Sequence, residues 1–236
     1  MTQLNILVEG QTEENFVRDV LAEHLANFGV VVTQRRFITG KTRPASKTGK
    51  RQNILHKGGI TSYQQVVNDL NRWRNENRRA TLTTMIDFYG LPDDFPKSAL
   101  SSDSALEKVK TLETRLISDS GLDNFIPYIQ MHEFEALLFS DVEILDALVS
   151  TDALPNPQTL RSLLEIRAQS ETPEHINDSP QTAPSKRLDQ VYRGRYIKTD
   201  GSIVAKRIGL VAIRRECRHF DAWLTKLENL NSQGAS

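Results

Sequence analysis

The chain has 236 residues, 38% hydrophobic and 25% charged, with 30 basic side chains against 30 acidic ones. That length suits one domain, or one with a small addition, and the composition excludes disordered and fibrous classes. A single cysteine, Cys217, excludes an internal disulfide framework and a multi-cysteine zinc module. No apolar run reaches the roughly 18–20 residues of a membrane span, and the opening Met1-Thr2-Gln3-Leu4-Asn5 lacks the features of a signal peptide, so a cytoplasmic protein away from membranes is expected.

Leu4–Val8 is a short apolar run stopped by Glu9-Gly10, which predicts a buried strand. Thr12 is the expected N-cap of a helix whose first turn holds Glu13 and Glu14 and whose apolar face runs from Phe16 to Phe28, with Gly29 closing it. Val30–Thr33 opens a second strand, ending near Ile38. Residues 39–59, rich in Lys, Arg, Gly, Ser and Thr, read as a long loop. Thr61 or Ser62 caps a helix with Val66, Val67, Leu70 and Trp73 inward and a basic far end. Leu82–Asp87 predicts a third strand with Asp87 at its C-terminal end. Residues 88–96 form a loop, residues 102–119 a helix, and Phe125–Gln130 a fourth strand that runs straight into a helix from His132 to Phe139. Beyond residue 150 five prolines break the chain into short pieces, followed by helices over 203–215 and 216–230. This is the grammar of an α/β fold.

The zero net charge averages blocks of opposite sign. Residues 1–33 carry one basic and five acidic side chains, residues 34–79 twelve and two, residues 80–150 four and thirteen, and residues 151–236 thirteen and ten. Neutrality therefore says little against a nucleic-acid partner. Glu9, Asp87, Glu133 and Glu135 all fall at or just after the C-terminal ends of expected strands, where α/β sheets place their sites. Gathered carboxylates repel one another unless protons or a hard cation neutralise them, and magnesium takes such oxygen ligands. Each acid taken alone is equally a helix cap or a solvated turn residue. Glu133 and Glu135 are two residues apart and cannot both face one site from a regular helix; Glu133, nearer the strand end, is the preferred ligand, with His132 beside it as a proton carrier. Lys41, Arg43, Lys47, Lys50, Arg51 and Lys57 share the expected loop and could neutralise phosphates, or simply be solvated there. Lys186 and Arg187 form a second candidate clamp. His24 reads as a boundary residue and Cys217 as a packed thiol.

Val8-Glu9-Gly10-Gln11-Thr12-Glu13-Glu14 resembles the opening motif of TOPRIM domains, especially the TOPRIM-like nucleases found beside ATPases in bacterial defence loci. With Lys57-Gly58-Gly59, Ile86–Pro92, His132–Phe139, Pro184–Leu188 and Cys217–Phe220 before Trp223, the chain resembles the bacterial family called domain of unknown function 4276 over nearly its whole length. The resemblance implies a Glu after the first strand, matched by Glu9, and an Asp-x-Asp after the third that holds magnesium. Asp87 matches the first Asp of that pair; Tyr89 stands at the second, and Glu13, Glu133 or Glu135 could supply the missing oxygen.

The reading is then an α/β, TOPRIM-like, mostly parallel sheet flanked by helices over residues 1–150, with a helical appendage over 151–236 packed on it. The expected activity is Mg2+- or Mn2+-dependent nuclease chemistry on DNA or RNA, in antiviral defence with a partner ATPase of AAA or ABC type. Glu9, Asp87, Glu133, His132 and Lys186 would act in catalysis; Glu9, Asp87, Glu133 and, in reserve, Glu13 would hold the metal; Arg187 would join the loop cations on the nucleic acid. The alternatives are a catalytically inactive adaptor that binds nucleic acid or an ATPase, and a small-molecule phosphohydrolase.

Overall fold

Leu4, Ile6 and Val8 enter one apolar cluster and Leu7 another, because successive side chains of a strand point to opposite faces. The computed structural model describes residues 1–37, 59–96, 104–150, 157–177 and 181–232. Its sheet contains β1 (Thr2–Val8), β2 (Val30–Arg36), β3 (Thr81–Asp87), β4 (Phe125–Ile126) and β5 (Ile129–Gln130). The order is β2-β1-β3-β4, with β5 pairing further along β3, and every pairing is parallel.

Helices cover both faces. α1 (Gln11–Phe16) passes through a π-helical stretch, Val17–Leu21, into α2 (Ala22–Ala26), and places Phe16, Val17, Leu21 and Leu25 against the Leu4 face. α3 (Tyr63–Glu76) and α4 (Ala105–Ser120) cover the other face, where Val66, Leu70, Trp73, Val109, Leu112 and Leu116 pack with Leu7, Leu82 and Ile86. The C-terminal part is helical: α5 (Val142–Val149), α6 (Pro157–Ala168), α7 (Pro184–Val191), α8 (Gly201–Ile208), α9 (Leu210–Glu216) and α10 (Arg218–Glu228). Leu163, Leu188, Val204, Ile213, Phe220 and Trp223 from these helices share one cluster with Leu4, Ile6 and Val8. The molecule is thus an α/β fold with a helical C-terminal region. No helix among the described residues is long and apolar enough to cross a membrane.

Several expected elements are redrawn. The first helix is capped by Gly10, not Thr12. Glu13 folds back so that its Oε2 accepts the Gly10 N–H at 2.9 Å, while the Thr12 hydroxyl donates to the Lys198 carbonyl. The single strand expected over 125–130 is split at Pro127, which has no N–H for the ladder. Side chains of β3 bridge the gap. The Thr83 hydroxyl donates to the Ile126 carbonyl, and the Thr84 hydroxyl both accepts from the Tyr128 N–H and donates to the Tyr128 carbonyl. The helix expected over 203–215 breaks at Gly209, whose φ of 84° lies in the region that favours glycine.

Trp223 ties the C-terminal region to the sheet. Its indole N–H donates to Thr83 Oγ1 at 2.8 Å, and its ring stacks on Tyr128 with centroids 4.2 Å apart. Thr83 therefore serves a donor and an acceptor at once. Thr83→Val, which keeps the shape and removes the hydroxyl, leaves the buried Trp223 indole and the part-buried Ile126 carbonyl each short of a bond and should lower unfolding free energy in urea by about 2 kcal/mol. Thr83→Ser should recover most of that loss.

Candidate active site

β1 lies between β2 and β3, with the β1–β2 connection on one face and α4, leading from β3 to β4, on the other. Such a switch in winding direction opens a crevice at the C-terminal ends of the two strands. Glu9 follows the last residue of β1 and Asp87 is the last residue of β3. The two are joined directly, since Glu9 Oε2 accepts the Asp87 N–H at 3.2 Å. Gly90 makes room for them: a Cβ there would sit 2.7 and 2.9 Å from the two Glu9 carboxylate oxygens, closer than real contacts allow.

The segment after β5 delivers two more acids in a way the sequence did not predict. Backbone pairing with β3 continues past the strand, with the Phe88 N–H on the Gln130 carbonyl and the Tyr89 N–H on the His132 carbonyl. His132 then takes a left-handed φ of 63°, rare for a residue with a Cβ and a form of strain that gathers at functional sites. Glu133 is extended, not helical, and only at Phe134–Ser140 does a 3-10 helix form in place of the expected α-helix over 132–139. The expectation that Glu133 and Glu135 diverge is therefore overturned. The Lys198 ammonium lies 3.7 Å from Glu133 Oε1 and 3.7 Å from Glu135 Oε1. Glu133 also accepts the Ser185 N–H at 2.8 Å, at the start of α7, where Pro184 holds the first helical position and the helix dipole favours an anion.

Glu9, Glu13, Asp87, Glu133 and Glu135 thus form one electrostatic unit. Burial first, and then Glu13, Glu9, Glu135 and Glu133, push the Asp87 carboxyl well above its ordinary range. Burial also raises Glu9, although the Asp87 N–H and Lys198 oppose the shift. Glu13 is raised by burial and by Glu9. Glu135 is 2% exposed, and burial pushes its carboxyl up to about 7 against the pull of Lys198. Burial pulls the Lys198 ammonium down, but Glu135, Glu133, Asp87 and Glu13 outweigh it and its pKa rises.

Other expected participants stand elsewhere. Lys186 is exposed on α7 and forms no ion pair among the described residues, so the Pro184–Leu188 motif reaches the acids through the Ser185 backbone, not through its lysine. Arg187 donates from Nε to the Thr182 carbonyl at 2.8 Å. The His132 ring is buried, with Nδ1 3.1 Å from Asn177 Nδ2 and its centroid 6.0 Å from that of Tyr89. Lys41, Arg43, Lys47, Lys50, Arg51 and Lys57 lie outside the described residues. The cation that sequence reasoning missed is Lys198, a lone lysine in an irregular stretch with no motif around it. Cys217 is a buried thiol 3.4 Å from Ser140 Oγ, and His24 pairs with Glu228 at 2.6 Å.

Among the described residues no group of three or more His, Cys, Asp and Glu side chains is arranged to hold a metal ion. The donor chemistry nevertheless suits a hard cation. The gathered acids offer carboxylate oxygens, and Asp87 Oδ1 is buried with no hydrogen-bond partner among the described residues. Glu9, Asp87 and Glu133, with Glu13 and Glu135 around them, are the residues that could hold such an ion.

The fold and crevice define a parallel α/β protein with an acidic site at its switch point. Residues 8–228 match the family described as domain of unknown function 4276, and the chain belongs to that family. No curated protein and no solved structure matches it.

Glu135 sets a pH dependence. A carboxyl whose pKa rises on folding binds more protons folded than unfolded, so stability falls as pH climbs from its ordinary value near 4.5 to about 7. Glu135→Gln should flatten the stability profile in that window by about 3 kcal/mol, measured by urea unfolding in chelator at a series of pH values.

Proposed function

We propose that the chain is a metal-dependent phosphodiesterase of TOPRIM type that cleaves nucleic acid at the crevice between β1 and β3. The observation that supports this most is Asp87 Oδ1, a buried carboxylate oxygen without a hydrogen-bond partner among the described residues and amid four further acids. An arrangement whose charges repel this strongly destabilises the fold, and such a cost is commonly retained at functional sites. Glu9, Asp87 and Glu133 would hold Mg2+ or Mn2+, which when bound supplies Lewis-acid polarisation of a phosphoryl oxygen. The protein's own groups do the rest. The Asp87 N–H fixes the Glu9 carboxylate, and the Ser185 N–H fixes that of Glu133. Lys198, already poised over Glu133 and Glu135, offsets negative charge on a phosphate that enters. The Glu135 carboxyl, with a pKa of about 7, can take up or release a proton near neutral pH. The motif resemblance adds a role in antiviral defence with a partner ATPase; the 236 residues contain no complete P-loop motif of their own.

A second reading has one observation in its favour. Lys198 already bridges Glu133 and Glu135, and Tyr89 stands where the resemblance expects a second Asp, as suits an inactive adaptor that binds nucleic acid or an ATPase. Manganese titration by calorimetry, paired with cleavage of labelled DNA and RNA, separates the two. The phosphodiesterase reading requires metal binding by the wild type and cleavage that falls at least about a hundredfold, or ~3 kcal/mol of barrier, in Glu9→Gln/Asp87→Asn. Equal absence of metal binding in both proteins, with no cleavage, establishes the adaptor.

A further inference from the structure

The stretch between α7 and α8 is a strap pinned at two points. Tyr192 and Tyr196 are buried, and the Tyr192 hydroxyl donates to Asp146 Oδ1 at 3.1 Å. Arg193, Gly194, Arg195, Ile197 and Lys198 all face solvent. Lys198 reaches Glu133 and Glu135, but Arg193 and Arg195 form no ion pair among the described residues. Arg195 Nε only caps the Tyr192 carbonyl, at 3.3 Å.

Two features mark these arginines. First, Arg193 is held at φ 51°, directly before Gly194 at φ 77°. A left-handed residue with a Cβ costs roughly 1–2 kcal/mol, a cost that glycine would avoid. No packing accounts for an arginine there, since it is exposed. Second, both arginines border a polar cleft of about 380 Å³ against α6 and α7, together with Gln158, Thr159, Ser162 and Gln190. Arg195 also borders a second cleft of about 170 Å³, lined by Tyr196, Ile197 and Asp200, the neighbours of Lys198. Arg195 thus borders both clefts, and Lys198, three residues further along the strap, reaches Glu133 and Glu135. Asp200 is the one acid on the strap between residues 193 and 200.

We propose that Arg193, Arg195 and Lys198 form a track that binds the sugar–phosphate backbone of a nucleic-acid strand and leads it to the acidic crevice, an inference that rests on the phosphodiesterase reading above. Arginine presents a fork that matches phosphate oxygens, and phosphate contacts of this kind position a strand without reading its bases. Arg195 and Lys198 are three residues apart, so their Cα atoms are separated by at most about 11 Å, and a phosphate held at Arg195 lies close to one facing Lys198. The contacts are independent of sequence and sensitive to salt.

The test is binding of labelled single-stranded DNA and RNA oligonucleotides across a salt series, in chelator so that nothing is cleaved, by fluorescence anisotropy. Arg193→Asn/Arg195→Gln is the main variant, because asparagine tolerates the left-handed position. It should weaken binding by about tenfold or more and lower the slope of log affinity against log salt by about 1.4, or roughly 0.7 for each lost phosphate contact. Arg193→Lys/Arg195→Lys should keep the slope. Manganese-dependent hydrolysis of bis(p-nitrophenyl) phosphate, which is too small to touch the track, should be unchanged in both. Arg195→Gln alone, at an exposed position, carries the test if the double variant unfolds early. Wild-type affinity and slope in the double variant overturn the track, as does competition by polyglutamate equal, per charge, to that of oligonucleotide. If the wild type binds no oligonucleotide the track also falls, but hydrolysis of the small diester that is lost in Glu9→Gln/Asp87→Asn leaves the phosphodiesterase reading intact. Absence of that hydrolysis as well removes both.

Discussion

Like-charge repulsion among carboxylates is the constraint around which the rest of the molecule is arranged. Unit charges about 4 Å apart at an effective dielectric near 20 repel by about 4 kcal/mol, so five acids on one sheet edge persist only if the surrounding structure over-determines their places. It does so with backbone donors at Glu9, Glu13 and Glu133, the Lys198 ammonium over Glu133 and Glu135, and upward pKa shifts that allow part of the cluster to hold protons. The two apolar clusters on either face of the sheet supply the stability against which this edge is held.

The parallel sheet was legible because its signals are local. Leu4–Val8 and Leu82–Asp87 are apolar runs that end at turn residues, and Ser62 and Ser104 cap their helices through the Gln65 and Glu107 N–H groups as their residue type suggests. The positions of Glu9 and Asp87 follow from those strands. What failed was local in appearance but tertiary in cause. Residues 132–139 look helical by composition, yet the continuation of backbone pairing to Tyr89 forces His132 into a left-handed turn and keeps Glu133 extended. Lys198 was invisible for another reason: nothing within its own stretch says that Thr12 and two buried tyrosines will hold it over the crevice. The Pro184–Leu188 motif was noticed for its charges, whereas its contact with the site is a backbone N–H.

The C-terminal helices do more than cover a face. Trp223 reaches β3 through Thr83 and stacks on Tyr128, while Glu174 accepts the N–H groups of His219 and Phe220 at the start of α10. His219 in turn lies against Glu113 of α4, from the opposite side of the sheet. The two layers meet beside the sheet at this aromatic and ionic group, and the same segment, 125–131, leads into the strained turn that carries Glu133. Packing and site geometry are therefore joined through a few residues of backbone.

The hydrogen bond between Thr12 and the Lys198 carbonyl joins residues 186 positions apart. A contact of that span closes late, because the entropy of a long loop must be overcome before any local gain is made. During synthesis the segments bearing Glu9, Glu13 and Asp87 emerge well before the lysine that partly neutralises their neighbours. A nascent chain, or one truncated before residue 198, therefore presents an anionic edge without its internal counter-ion, and the order of emergence from the ribosome gives the acidic crevice its full electrostatic balance only once Lys198 has followed.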